Sequence, residues 1–453
     1  MMRFAPRTIF VLAWAARMAM AEDPVSFHKQ IQPILARQCQ GCHQPASQQA
    51  GLLLTSYEGL KTGGQKGGAF VAGSPEKSVV IAYLTGEVKP QMPFGGRPLP
   101  DDQIELFKRW IREGAKDDSP AAPAETAGSS GPTVYHAPPV INALAISQDG
   151  KWIALSGYRE ILLRELATDR LERLQGLSDR IMSLAFSPGG ETLAAAGGSP
   201  ARFGELQIWD MASRKLKHSI VTTNDTLFSV SFSPDASKIA CGAADKSIRV
   251  FDAASGKQIR KVDHHEDWVF GAVFGIDGKR LVSVGRDRAA KLTTVETGAF
   301  VENVNLLKEP LTAIARHPKK DWVVIGGEDR IPYLYMMDRP RAMRIADDST
   351  LIRKFEPLDG PILTLAISQD GKYIGAAAGA GDVRIYELET GKAVAHCAGH
   401  RGGIFAIQFA PGSRSMITAG FDGMVRTYDL GGKLIREFVP VPVESASVAR
   451  SER

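Results

Sequence analysis

The residues of this chain best suited to chemistry are Cys39-Gln40-Gly41-Cys42-His43, two thiols one helical turn apart with a histidine directly after the second. That spacing reads as a c-type haem attachment site. Two thiols so placed reach the two vinyl groups of one porphyrin, and the imidazole of His43 then lies beneath the iron as its proximal ligand. A thioredoxin-like redox pair would need a βαβ context, and half of a zinc site would need a second ligand pair downstream. Neither context accompanies the motif.

Iron held this way needs a distal ligand or an open position. Once residues 1–21 are set aside, Met92 is the only methionine before Met182, and it lies 49 residues after His43 in Pro90-Gln91-Met92-Pro93. Its prolines stiffen the loop, and a His/Met pair raises the reduction potential in a way that suits electron transfer. The rival ligand is His28, ahead of the motif, for which a surface position is expected.

Thioether attachment of haem takes place outside the cytoplasm, and the start of the chain has the pattern of an export signal. Arg3 and Arg7 flank an apolar run from Thr8 to Ala16, and Ala19-Met20-Ala21 has the small residues of a cleavage site. The run is half the length of a bilayer span. A periplasmic or secreted bacterial protein is expected, with no transmembrane segment after cleavage. Loss of three arginines lowers the formal charge from +5 to +2, and the remaining Lys and Arg are dispersed among Asp and Glu, which argues against a nucleic-acid partner. Cys241 and Cys397 sit in apolar strand-like stretches and read as buried free thiols.

The elements that must position the motif can be read around it. Phe27, Ile31, Ile34 and Leu35 form one apolar helical face leading into Cys39, with Pro33 as a kink or a first-turn residue. A second helix carries Ile104, Phe107, Trp110 and Ile111 on its buried face, an Asp102/Glu105 capping box at its start and Gly114 at its end. The Gly-rich stretch between them offers little apolar surface, so packing on the porphyrin is expected to supply much of the core. From Lys116 to Pro139 the chain is rich in Pro, Ala, Ser and Gly, the composition of a mobile linker.

Beyond the linker an apolar strand ending before a turn recurs at Ile146, Phe186, Phe232, Phe274, Arg316, Ile367 and Phe409, at spacings of 40, 46, 42, 42, 51 and 42. This period suits four-stranded propeller blades, and seven units suit a closed ring. The third strand ends in an aromatic and an acid at Trp209-Asp210, Phe251-Asp252, Tyr386-Glu387 and Tyr428-Asp429. His265 precedes Asp287 by 22 residues, as His400 precedes Asp422. The longest gap holds a basic insertion, Arg339 to Arg344, expected as a loop. For closure, residues 433–438 could complete the last blade, or residues 133–137 could pair there instead.

Two resemblances follow from these residues. Phe27, Ile31, Pro33-Ile34-Leu35, Cys39 to His43, Gly51-Leu52, Gly73-Ser74-Pro75, Met92-Pro93, Trp110-Ile111 and Gly114-Ala115 together resemble the planctomycete-type cytochrome c domain over residues 24–117. That resemblance implies one covalently attached haem c on Cys39 and Cys42, with proximal His43 and distal Met92 as iron ligands. Residues 140–440 resemble the WD40 family, in which the histidine and turn aspartate are structural. The expected fold is a small all-α class I-like cytochrome c domain followed by an all-β seven-bladed WD40 propeller. Its expected segments are a signal peptide (1–21), the cytochrome domain (22–117), a flexible linker (118–138), the propeller (139–440) and a C-terminal tail (441–453).

The function expected from this layout is an exported single-haem electron-transfer or redox-responsive module, tethered to a propeller that binds a protein partner. No catalytic residue or substrate site is evident, which leans away from an enzyme. The alternative is a two-cofactor oxidoreductase, similar to cytochrome cd1 or quinoprotein enzymes, with a second redox site among His218, His264, His265, His317, His396 and His400. Ser255-Gly256-Lys257 and Thr390-Gly391-Lys392 faintly resemble quinoprotein repeats, yet fall where hairpin turns are expected. A third reading makes the ring purely structural.

Overall fold

The computed structural model describes residues 24–39, 42–44, 47–54, 57–118, 134–339 and 348–444. The expected signal peptide, most of the expected linker and residues 340–344 of the basic insertion lie outside the described residues, as does the end of the expected tail. The chain divides into two compact units, 1–123 and 124–453.

In the first unit a wide helical turn, Phe27–Ile31, runs into α1 (Gln32–Gln38), and Pro33 sits in the first turn of α1, where its missing N–H is no loss. Helices α2 (Tyr57–Thr62), α3 (Val79–Thr85) and α4 (Asp101–Arg112) follow. Phe27, Ile31 and Leu35 are buried with Phe107, Trp110 and Ile111 of α4. The rings of Phe27 and Phe70 lie 5.4 and 5.1 Å from that of Trp110, and the Trp110 indole N–H donates to the Lys116 carbonyl at 3.0 Å.

Two expectations for this unit are corrected. Asp102 and Glu105 form no capping box. Pro100 takes the N-cap, so both Asp101 and Asp102 enter the first turn, where their charges favour the positive helix end, while Glu105 pairs with Lys108 and Arg112. The stretch between the first and last helices also buries more than its composition suggests: Leu54, Leu60, Ala69, Ile81, Leu84 and Leu99 all join the core. Leu60 on α2 and Ile81 and Leu84 on α3 reach it from short helices, and Leu54, Ala69 and Leu99 reach it from the connecting segments. Gly114, at φ 100°, ends α4 as expected.

The second unit is a seven-bladed β-propeller whose blades span 144–174, 180–223, 227–262, 269–303, 311–354, 362–396 and 404–438, each a four-stranded antiparallel meander. First strands end at the seven residues that mark the repeat. Second strands such as Thr192–Ser199 and Tyr373–Ala378 are buried on both faces, because each blade is covered by two neighbours. Such strands read as unbroken apolar runs. The fourth strand lies at the rim, and Gln258–Val262 is exposed at all but its last residue. In blades 2 to 7 the pairing of first and second strands skips one residue: Met182, Phe228, Phe270, Thr312, Leu363 and Phe405 in turn. A bulge of this kind re-aims the skipped side chain.

Residues Leu434–Phe438 complete blade 7 as its fourth strand, so the ring closes by side-chain packing. Leu144, Ile146, Ile153 and Leu155 of blade 1 share one core with Ala406, Ile417, Ala419 and Val425 of blade 7. A clasp reinforces the seam. Tyr135 forms a parallel bridge with Val443, its N–H donates to the Pro442 carbonyl at 2.9 Å, and Ile141 N–H donates to the Gly420 carbonyl at 3.0 Å. Residues 135–138 and 441–444, on the far sides of the expected propeller boundaries, therefore belong to the described ring unit.

Candidate haem-attachment site

The attachment motif is wound about a single carbonyl. Cys39 caps α1, its N–H donating to Leu35, and its own carbonyl accepts from Cys42 N–H at 3.2 Å and His43 N–H at 3.1 Å. Both thiols and the imidazole are thus carried on one tight turn. The next residues anchor it from behind: Leu54 N–H donates to the His43 carbonyl at 2.9 Å and Gln49 N–H to that of Cys42 at 3.1 Å. Gln40 and Gly41 lie outside the described residues.

Burial differs sharply across the turn. His43 is 8 % exposed, and its Nδ1 has no partner among the described residues. Cys39 is half-buried, Cys42 is exposed, and the two are not joined in a disulfide. Burial, then the nearness of Cys42, pushes the Cys39 thiol up to about 11, whereas a redox-active dithiol needs a lowered value. Two free thiols and a buried imidazole with an unclaimed nitrogen are the donor chemistry that covalent haem requires.

Met92 is half-buried in the loop between α3 and α4. That loop is held back on the end of α3, with Met92 N–H donating to Tyr83 at 3.0 Å and the Gln91 side chain to Leu84 at 3.1 Å. Leu54 and Tyr83 thereby hold the backbone of His43 and of Met92, a role that no side-chain pattern announces. His28 is exposed, its Nδ1 2.9 Å from Gln32 Oε1.

The six propeller histidines have local partners. His265 Nδ1 meets Asp287 at 2.9 Å and Nε2 meets Ser283 Oγ at 2.7 Å, while His400 meets Asp422 at 3.1 Å and Thr418 Oγ1 at 2.7 Å. Burial opposes ionisation of Asp287, but hydrogen bonds from His265 and the Glu266 amide outweigh it and hold the carboxyl well below its usual range. His218 and His264 meet the Ala254 and Gly298 carbonyls, His317 Nδ1 accepts from the Lys319 and Lys320 amides, and His396 pairs with Asp382. Gly256 and Gly391 take positive φ in hairpin turns, so the two quinoprotein-like tripeptides are turn residues. Among the described residues no group of three or more His, Cys, Asp or Glu could hold a metal ion, and no helix is long and apolar enough to cross a membrane.

The family model for planctomycete cytochrome C matches residues 39–93, running from the first thiol of the motif to the proline after Met92. The model for the WD domain, G-beta repeat, matches residues 214–252, 256–293 and 391–429. The chain joins a planctomycete-type cytochrome c domain to a WD40 propeller. Haem c is the cofactor this cytochrome family implies. An uncharacterized WD repeat-containing protein of Synechocystis is 35 % identical over 101 residues, 22 % of this chain and 28 % of that protein. The U5 small nuclear ribonucleoprotein 40 kDa protein of Dictyostelium discoideum is 26 % identical over 40 % of this chain and 51 % of its own length. A periodic tryptophan protein 2 homolog from the same organism is 23 % identical over 55 % and 26 %. The matches thus span from about a quarter to about a half of these relatives.

Proposed function

We propose that this protein is an exported, single-haem c-type cytochrome whose propeller docks a protein partner, with electron transfer or redox sensing as its role. The observation that carries this reading is the turn wound on the Cys39 carbonyl, which presents two free thiols and a buried, partly unsatisfied His43 within a stretch matching a cytochrome c family. Cys39 and Cys42 would hold the haem covalently, and His43 and Met92 would ligate its iron. Bound haem supplies a one-electron couple. Hydrogen bonds from Leu54 N–H to the His43 carbonyl and from Met92 N–H to the Tyr83 carbonyl hold the backbone that carries the two side chains. The leader, residues 1–21, directs export, and residues 118–134 tether the haem unit to the ring, which raises the effective concentration of the haem at a docked partner.

The two-cofactor alternative loses His265 and His400 as candidates, because both ring nitrogens of each are bonded within the blade. A pyridine haemochrome assay with intact-mass measurement on the exported protein should give one covalent haem per chain and no second cofactor. Cys39→Ser with Cys42→Ser should leave no haem after acid extraction. Haem retained covalently by that double variant, or a quinone copurifying with the ring, overturns the proposal.

A further inference from the structure

The turn between first and second strands is built alike in blades 1, 3, 4 and 6. An aspartate three residues past the end of the first strand accepts the amide two places on: Asp149 from Lys151 at 3.0 Å, Asp235 from Ser237 at 3.1 Å, Asp277 from Lys279 at 2.9 Å and Asp370 from Lys372 at 3.0 Å. Blade 5 departs from this. Lys319 stands where the aspartate would, and the acceptor is the imidazole of His317, whose Nδ1 takes the Lys319 and Lys320 amides at 3.0 Å each. A nitrogen that accepts N–H groups carries no proton, so the neutral ring holds its proton on Nε2.

The second nitrogen meets blade 6. His317 is 4 % exposed, and the Gly371 backbone of the blade 6 turn hydrogen-bonds its ring. The approach is close: a Cβ at Gly371, whose φ is 81°, would lie 2.6 Å from Nε2. Trp322 stands edge-on to the imidazole with ring centroids 5.6 Å apart, and Lys320 Nζ lies 3.9 Å over the indole. Most of the charge around the ring is positive. Arg316, Lys319 and Lys320 flank it on its own turn. Asp321 lies near Arg316 and accepts the Ile276 N–H of blade 4 at 2.8 Å, while Asp370 of blade 6 lies near Lys319 and Lys372. Burial, and then Lys320, lower the His317 pKa against the pull of the Gly371 bond.

We propose that His317 is a pH-sensitive latch: a proton added at Nδ1 ends its hold on the Lys319 and Lys320 amides, opens that turn and loosens the seam between blades 5 and 6. Protonated Nδ1 is a donor aimed at two donors, inside a turn that already carries Arg316, Lys319 and Lys320. An unfolded imidazole titrates near about 6.5 and the latched one lower, so the hold is complete above that pH and is lost as pH falls through the folded value. Turns held by carboxylates let go later. The Ser147 and Ser233 hydroxyls keep Asp149 and Asp235 below the ordinary carboxylate range, Asp235 at about 2, and at Asp370 burial is outweighed by the Ser368 hydroxyl. Blade 5 thus gives the ring a joint that yields in mildly acid medium while the equivalent joints of blades 1, 3 and 6 stay shut. The latch depends neither on the haem nor on what the ring docks.

Pulse-labelling hydrogen exchange on the full-length protein, read by mass spectrometry from about pH 7 to about pH 5 and corrected for intrinsic exchange rates, tests the latch. Peptides covering residues 317–322 should lose protection about tenfold over that range, while those covering 147–152 and 233–238 should keep theirs. His317→Gln offers the same amides an oxygen that does not titrate, so it should hold the turn at both ends of the range, and His317→Ala should hold it at neither. Protection at 317–322 that stays level from pH 7 to 5, a loss shared equally by the turns of blades 1 and 3, or a loss with acid that persists in His317→Gln overturns the proposal. Where His317→Gln does not fold or does not hold the turn, the parent profile decides alone, because its comparison of blade 5 with blades 1 and 3 is made within one molecule.

Discussion

Tyr135→Phe tests whether the ring is closed by packing alone or also by its clasp. Tyr135 is 5 % exposed; its hydroxyl donates to Glu160 Oε1 at 2.7 Å and accepts the Tyr158 N–H at 3.0 Å. The Glu160 side chain is fully buried and is otherwise met by Arg173 at 3.0 Å. Burial, and then the bond to Glu160, pushes the Tyr135 pKa up, so the hydroxyl stays protonated through the neutral and alkaline range. Phe keeps the ring packing and removes both hydrogen bonds. A bond to a buried charged acceptor is worth about 1.5–3 kcal/mol and a neutral one about 0.5–1.5 kcal/mol, so the expected loss is about 2–4.5 kcal/mol. At about 2 °C per kcal/mol for a large domain, the melting temperature should fall by about 4–9 °C. Differential scanning calorimetry on residues 132–453 would measure it. Starting the ring at residue 140 should cost more, because the bridge to Val443 goes too. A Tyr135→Phe loss below about 0.5 kcal/mol, or an undiminished ring starting at residue 140, would refute the clasp and leave side-chain packing as sufficient.

Met92→Ala should abolish the weak far-red charge-transfer band of a ferric His/Met haem and lower the reduction potential, whereas His28→Ala should leave both unchanged; the reverse pattern would make His28 the distal ligand. Acid should weaken the ring in two stages. Burial lowers the His400 pKa below its ordinary value despite the opposing pull of Asp422, so the unfolded chain binds the proton first and stability should decline as pH falls below about 6.5. The carboxyls of Asp287 and Asp422 are depressed, so their contribution is present above about pH 4 and is lost as pH falls further through their folded values. Urea midpoints from pH 8 to 3 should show both declines, and His400→Gln should reduce the first; a profile flat from pH 7 to 5 in the parent would contradict the assignment.

What residue types could announce along the chain, they did. Two thiols and a histidine at fixed spacing point to haem attachment because that chemistry demands the spacing, and the planctomycete cytochrome C model matches from Cys39 onward; blade boundaries recur because every blade faces the same burial problem. First-strand ends at Ile146 through Phe409 and the His–Asp pairs of blades 4 and 7 follow from such local periodicity. Tertiary structure decided what depends on partners distant in sequence. The Asp102/Glu105 pattern is compatible with a cap, but α4 starts at Asp101 with Pro100 as its N-cap. The sequence left residues 133–137 open as linker or as a pairing segment at the seam, and the bridge of Tyr135 to Val443, 308 residues later, decided it, with buried Glu160 as partner of its hydroxyl. The latch is of the same kind. His317 and Gly371 come from different blades, and only the packing of blade 6 on blade 5 sets the imidazole against the Gly371 backbone.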